Sequence, residues 1–425
     1  MTYNVQAVQR LRVKKETNGN FCVDQTSQMS TFTDIPIREG STTMTLDQAK
    51  LDPMNARQYI YAHNTEILGA KSSSIAFEVN LGPTDTIAAD GATAAQTPAG
   101  LLLGLTMGGE TTCVGTTANA EQDEDSVTIA DNISTTKHSP GGAIGWVNAN
   151  SKLELRELQS ASGTQLTTKV EFSGVPATGN VIYACRTYYL DNRTSSDVGS
   201  LQAVLEGFDP SGVDDCWVHS GGQIDSPMAI TFTNGEIPTL GFNFKFADWD
   251  NGDDKALTPI TLGANEHATY NNQNEICVLD SEFICGEVAN ATYSGVERHI
   301  TSFEIELGYK YIPINTPGGT NNIVQWAMMP DHPVVKGSFT IPYEDQTFKD
   351  YEAAKTPLYI FFQIGSTTSE GAMLISIPTI QVTNVQRIDN EGIASQKVEF
   401  IGRQDADVGS IITAQALSPF RIHIF

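Results

Sequence analysis

Apolar residues recur at every second position in many short stretches of the chain, the pattern of a strand with one face buried and the other wet. Ile75-Ala-Phe77-Glu-Val79-Asn-Leu81, Leu153-Glu-Leu155, Ile230-Thr-Phe232, Phe242-Asn-Phe244-Lys-Phe246 and Phe303-Glu-Ile305-Glu-Leu307 all read this way. Turn signals separate them, at Asn234-Gly235, Pro317-Gly318-Gly319 and Asn390-Glu391-Gly392. Only two segments predict helices of consequence. Thr97-Pro98 opens one that runs to about Met107, with proline in the first turn and Gly108-Gly109 behind it as a stop. Asp345–Lys355 predicts the other, ended by Thr356-Pro357. The expected fold is mostly β.

The pattern also repeats. Thr233–Phe246 and Asp389–Gly402 each read as a hairpin turn followed by an alternating strand. Superimposing Ile237 on Ile393 places Phe242 on Val398 and Phe244 on Phe400, and further back it aligns Ile224 with Ile380. Ser200-Leu201 and Pro357-Leu358 open strands at nearly matching offsets, and each copy has an earlier strand-then-helix element. Two tandem antiparallel β-sandwich modules are therefore expected, each with a short α-helix, plus an inserted small β segment. Residues 1–108 with 200–256 form the first module, 109–199 the insertion and 257–425 the second. The insertion carries strands of its own around Lys152–Leu158, Gln165–Phe172 and Asn180–Tyr189. Period-two packing predicts that Ile237, Phe242, Phe244, Ile393, Val398 and Phe400 are buried in equivalent places.

Charge narrows the possible partners. The 425 residues hold 50 acidic and 25 basic side chains, a formal charge of −25. Tight binding of duplex nucleic acid rests on Lys and Arg neutralising phosphates, so that class is disfavoured. The longest apolar runs, Ala99–Met107 and Pro357–Ile364, fall far short of the ~20 residues a membrane helix needs. Met1–Asn20 has basic residues but no apolar core of the signal-peptide kind, which predicts no secretory export.

Little in the chain looks chemical. The six cysteines never form a CxxC pair, and the seven histidines are scattered without metal-ligand spacing. Gly141–Gly145 is not followed by a helix, and Gly109–Thr116 lacks the lysine of a phosphate loop. Asp248–Asp254 resembles a calcium loop, but its twelfth position is Pro259 instead of Glu, so it reads as a solvated acidic turn. Glu121–Asp125 reads likewise as a solvated loop, or as an acidic stretch that faces a channel or a partner surface. No catalytic, metal-binding or cofactor-binding residue is assigned, and no enzymatic activity is expected. Arg10, Arg12 and Lys14 place three positive charges on one strand face. They read either as a charge-protected edge strand or as a contact to an acidic surface of another subunit.

Taken in order, several strings resemble the tail tube proteins of long, non-contractile-tailed bacteriophages. Ser73–Leu81 followed by Thr97–Leu103 is similar to the strand and Pro-led helix near the start of that family. Ser200–Phe208, Cys216–Ser226 and Pro238–Phe246 are similar to its central strands. Ser302–Gly308, Val335–Ile341 and Ile377–Phe400 continue the likeness. The chain departs from the family in length, with two copies where many members have one. The resemblance implies two tail-tube-like modules in a structural virion protein that stacks as rings into a conduit for DNA ejection. It also implies trimeric rings of approximate sixfold symmetry, tape-measure and terminator or tail-tip partners, transient passage of double-stranded DNA, no membrane, and assembly in the host cytoplasm. The alternative is a β-sandwich adhesin or another tail or baseplate protein. An adhesin favours clustered aromatics, and the four tryptophans (146, 217, 249, 326) are dispersed along the chain.

Overall fold

The computed structural model describes the chain apart from residues 1–4, 17–21, 23–31, 39, 52–66, 81–96, 131–137, 192–199, 209–214, 226–227, 234–237, 252–280, 290–291, 321–322, 368–370, 391 and 406–412. The first elements are β1 (Val5–Lys15), β2 (Thr33–Ile35), β3 (Thr43–Leu51), β4 (Ile67–Asn80), α1 (Pro98–Met107) and β5 (Gly108–Thr112). Six short strands follow: β6 (Thr116–Asp123), β7 (Ser126–Ile129), β8 (Ala143–Val147), β9 (Leu153–Ser162), β10 (Gln165–Thr168) and β11 (Val181–Ala184). Next come β12 (Arg186–Leu190), β13 (Leu201–Phe208), β14 (Asp215–Ile224), β15 (Met228–Thr233) and β16 (Thr239–Asn251). After these lie β17 (Ser281–Ala289), β18 (Thr292–Glu297), β19 (Ser302–Thr320), β20 (Ile323–Pro342) and α2 (Thr347–Ala354). The last are β21 (Pro357–Thr367), β22 (Gly371–Asn390), β23 (Ile393–Gly402), α3 (Ala414–Leu417) and β24 (Arg421–Ile424).

The helix signals act as their chemistry dictates. Thr97 accepts a hydrogen bond from the Gly100 amide at 2.9 Å, Pro98 opens α1, and Gly108 ends it at φ 87°. Gly100 has a packing reason as well, because a Cβ there would meet the Tyr188 hydroxyl. The α2 helix stops at Lys355 in the left-handed region, just before Pro357, and seats Phe348 against Phe339. The four-residue α3, capped by Thr413, had no signal long enough to notice.

Eighteen strands form one hydrogen-bonded network. Within it the same succession of antiparallel pairings occurs twice. β1 lies between β2 and β13 as β17 lies between β18 and β21. β4 lies between β3 and β16 as β20 lies between β19 and β23. β14 bridges β13 and β16 as β22 bridges β21 and β23. In both halves the sheet folds over, so that strands which share no ladder pack face to face. Phe283 of β17 sits 5.1 Å from Phe339 of β20, and Phe303 of β19 the same distance from Phe362 of β21. One apolar core runs through both halves.

Phe242, Phe244, Val398 and Phe400 are buried as expected, on strands with equivalent partners. Three readings need correction. Ile393 is 61% exposed, because β23 begins there, outside the sandwich, while Ile237 lies outside the described residues. Phe244 pairs with Ile224 but Phe400 pairs with Val382, two places from Ile380, so the two halves differ in register at this ladder. Pro317-Gly318-Gly319 lies inside β19, where its ladder with β20 loses register between Asn315 and Thr320, and not in the connection between the two strands.

The strands β6 to β11 close into a separate six-stranded barrel around Val127, Ile129, Ile144, Leu158, Leu166 and Ile182. The flanking β5 and β12 belong to the large sheet, where β12 pairs with both β5 and β24. The barrel docks through β9 on the outer face of β21. Gln363 accepts from the Leu155 amide and donates to the Leu153 carbonyl, both at 2.7 Å. Beside this joint lies a buried charge cluster. Arg421 reaches Glu157 at 2.7 Å and Asp405 at 3.4 Å, and Lys169 reaches the same carboxylates at 2.8 and 2.5 Å. The paired cations hold the Glu157 carboxyl well below its usual range despite complete burial. Such a cluster adds little net stability but makes wrong docking costly, since one missing partner strands a buried charge.

His219 offers a test of the core. It is fully buried, with Nδ1 2.8 Å from the Ser73 hydroxyl and its ring 5.1 Å from that of Phe246. Burial pushes its pKa down to about 3, so it stays neutral in the fold. The unfolded chain takes up a proton below about pH 6.5, so stability falls as the pH drops, by up to about 1.4 kcal/mol per pH unit. Denaturant unfolding at a series of pH values should show this slope, and His219→Asn should make it shallower between about pH 6 and 5.

Candidate functional site

One layer of the structure is a continuous run of eight strands in the order β3, β4, β16, β15, β19, β20, β23, β22. The joint at its middle is the β15–β19 ladder. Met228 faces Leu307, Ile230 faces Ile305 and Phe232 faces Phe303, all no more than 1% exposed. Strand alternation makes this possible, because every second side chain of both segments points into the core. Fully burying each such side chain contributes about 1.5–3 kcal/mol.

The alternate positions form the other face of the run. Serine, threonine and asparagine predominate there, with Asp47, Glu78, Glu304, Glu306 and Glu399 among them. Among the described residues the cations on that face include Lys245, Lys336 and Lys397, and Arg38 reaches Glu78 at 3.1 Å. Lys336 stands opposite Glu306 in the β19–β20 ladder. Glu304 and Glu306 are exposed at the central joint. This face can hold a water layer and carries interspersed charge. The opposite side of the second half is treated differently: there Tyr359, Phe361 and Gln363 of β21 meet the barrel.

The structure places Arg10, Arg12 and Lys14 together on β1, away from the eight-strand run. Arg10 makes two bonds to Asp34, at 3.0 and 2.7 Å, and Arg12 reaches Glu206 at 3.0 Å. Lys14 lies 5.7 Å from the ring centre of Phe32. β1 is not an edge strand, since β2 and β13 flank it, so that reading is corrected. The alternating Leu11 and Val13 mark the face of β1 that is buried in the core, a pattern that edge and inner strands share.

Other motifs settle into structural roles. Asp248 to Asn251 form the end of β16 paired with β14, a strand where a turn was expected; residues 252–254 lie outside the described residues. Among the described residues no three His, Cys, Asp or Glu side chains group to hold a metal ion. Asp123 ends β6 and leads through a tight turn into β7. Burial pushes the thiols of Cys113 and Cys285 up to about 12, which leaves them unreactive. Trp217 and Trp249, dispersed in sequence, meet edge to face at 5.7 Å, and the Lys71 ammonium lies 4.8 Å from the Trp249 ring centre. No helix among the described residues is long and apolar enough to cross a membrane.

No protein-family model matches the chain, and no curated protein is detectably similar to it.

The central joint sets an energetic expectation. Phe232→Ala leaves a cavity among Phe303 and Phe362 and should cost about 3–5 kcal/mol, read from denaturant unfolding.

Proposed function

We propose that the protein is a phage tail tube subunit, a structural protein whose two halves are tail-tube-like modules and whose copies form stacked rings around a channel for DNA. The observation that carries this reading is the eight-stranded run, polar on its uncovered face, with four strands from each half. The order of motifs that resembles tail tube proteins supports it independently. Single-module tubes imply six modules per ring, so a chain with two modules completes a ring with three copies.

Geometry makes the reading physically reasonable. Three copies of the run would supply 24 strands, against the eight of one chain. With strands about 4.8 Å apart and tilted about 40°, a closed ring of that size is about 48 Å across between backbones. That leaves room for a duplex with water around it. The polar face then lines the channel and the barrel decorates the outside. A wall of hydroxyls, amides and interspersed carboxylates holds water and repels a polyanion where it is most acidic, so DNA slides without being gripped. The same reading brings tape-measure and terminator or tail-tip proteins as partners, and a virion location after assembly in the host cytoplasm.

Electron microscopy of the purified chain tests the class: rings or tubes with three chains per ring are expected, and isolated monomers that bind glycans favour the adhesin. Six chains per ring would remove the three-fold claim and leave the tube. Charge reversal tests the channel. Tubes carrying Glu304→Lys and Glu306→Lys should retain duplex DNA at low salt and release it as salt rises, while unsubstituted tubes do not retain it. Equal retention by both would overturn the lining assignment.

A further inference from the structure

The repeated pairings leave one joint filled and its counterpart open. Aligning the ladders through Phe244 opposite Ile75 and Phe400 opposite Gly337 makes β3 the counterpart of β19, with Met44 matching Ile305 and Leu46 matching Leu307. By the same alignment, residues 385–390 of β22 are the counterpart of β15, with Val385 matching Met228 and Arg387 matching Ile230. In the first half β15 is covered by β19. Among the described residues, β3 pairs only with β4, and the one strand paired with β22 beyond Asn384 is β23, although α2 also packs against β22. The burial of matching side chains records the difference. Ile305 and Met228 are completely buried, whereas Met44 and Val385 pack against the same core but remain half-buried. The Thr42 hydroxyl oxygen, the neighbour of β3, is out of water and has no hydrogen-bond partner among the described residues.

We propose that these two open edges are complementary halves of one joint between successive copies of this chain. Residues 384–390 of one copy add antiparallel to β3 of the next, in the register of the β15–β19 ladder. Val385 then faces Leu46, Gln386 faces Thr45, Arg387 faces Met44 and Ile388 faces Thr43. The joint is head-to-tail, so it closes only when the rotation between copies completes a ring. Its chemistry suits an edge that is wet before assembly. Arg387 and Asp389 stand where β15 has Ile230 and Phe232, and Arg387 lies 4.4 Å from the ring centre of Tyr343. Charge on an exposed strand discourages indiscriminate pairing, while the half-buried Met44 and Val385 reward the one register that covers them. The occupant is a second copy because the strand that covers the equivalent edge belongs to this chain itself.

This inference rests on the ring reading above, and a cysteine experiment separates the two. Thr45→Cys and Gln386→Cys occupy outward positions that the register places opposite each other, close enough for a disulfide. Under mild oxidation, assembled rings of the double variant should run as covalent multimers up to the closed ring on non-reducing gels. Each single variant and the unsubstituted chain, with its native cysteines, should run as monomers. Thr45→Cys with Ile388→Cys, offset along the strand, should cross-link far less. Rings that form without the Thr45–Gln386 cross-link, or with equal cross-linking at the offset pair, would overturn this joint and leave the ring reading standing. Absence of any ring would overturn both. Met44→Asp gives a second measurement: folded monomer with ring formation lost is expected, and unchanged rings would count against the joint.

Discussion

Between β15 and β19 six antiparallel residue pairs bring three core-facing side chains of each strand under complete cover. Without that ladder, each half would end its layer in an exposed strand and its core would be open on one side. With it, two sheets become one layer and two cores become one. The aromatic rings mark the continuity: Phe232 of the first half touches both Phe303 and Phe362 of the second, with centroids 6.0 and 5.3 Å apart. Edge pairing is normally a liability of β proteins. Here it is the internal weld.

The remaining architecture divides labour between faces. One face of the continuous layer stays polar and uncovered. The other packs on the folded-over strands, and beyond those, in the second half, sits the barrel. Docking there depends on specific polar groups, chiefly Gln363 bonded to the β9 backbone and the Glu157 cluster with Arg421 and Lys169. The Arg10 and Arg12 pairs with Asp34 and Glu206 hold the matching outer surface of the first half. Charged groups thus fix geometry at the periphery, while apolar strand pairing supplies the stability.

A tube subunit needs these properties together: a strand-based wall, a wet inner surface and joints that open water-exposed edges can make. Among the described residues, burial keeps the thiols of Cys113 and Cys285 protonated and His219 neutral inside the core. On the proposed reading the functional surface is broad and repetitive. A wall of serine, threonine and glutamate on alternate positions has no short signature in a sequence.

Much of this was legible before the fold. Alternation at Phe242–Phe246 and Phe303–Leu307, the Thr97-Pro98 cap and the Gly108 stop are local signals, set by backbone geometry within a few residues, and they placed β16, β19 and α1 correctly. The matched spacing of Phe242 and Phe244 with Val398 and Phe400 also came from the chain alone, because a period of two admits only one buried face. Partner choice did not. That β1 would lie between two strands, that Trp217 would meet Trp249, that Asp248 would extend a strand and that Ile393 would stay exposed were decided by which edges met. Those pairings join residues far apart in sequence, and backbone hydrogen bonds carry no residue identity to announce them. Only the tertiary structure brought β15 to β19 and left β3 and the end of β22 with one paired strand each among the described residues, because burying both halves in one core required one edge pair to close.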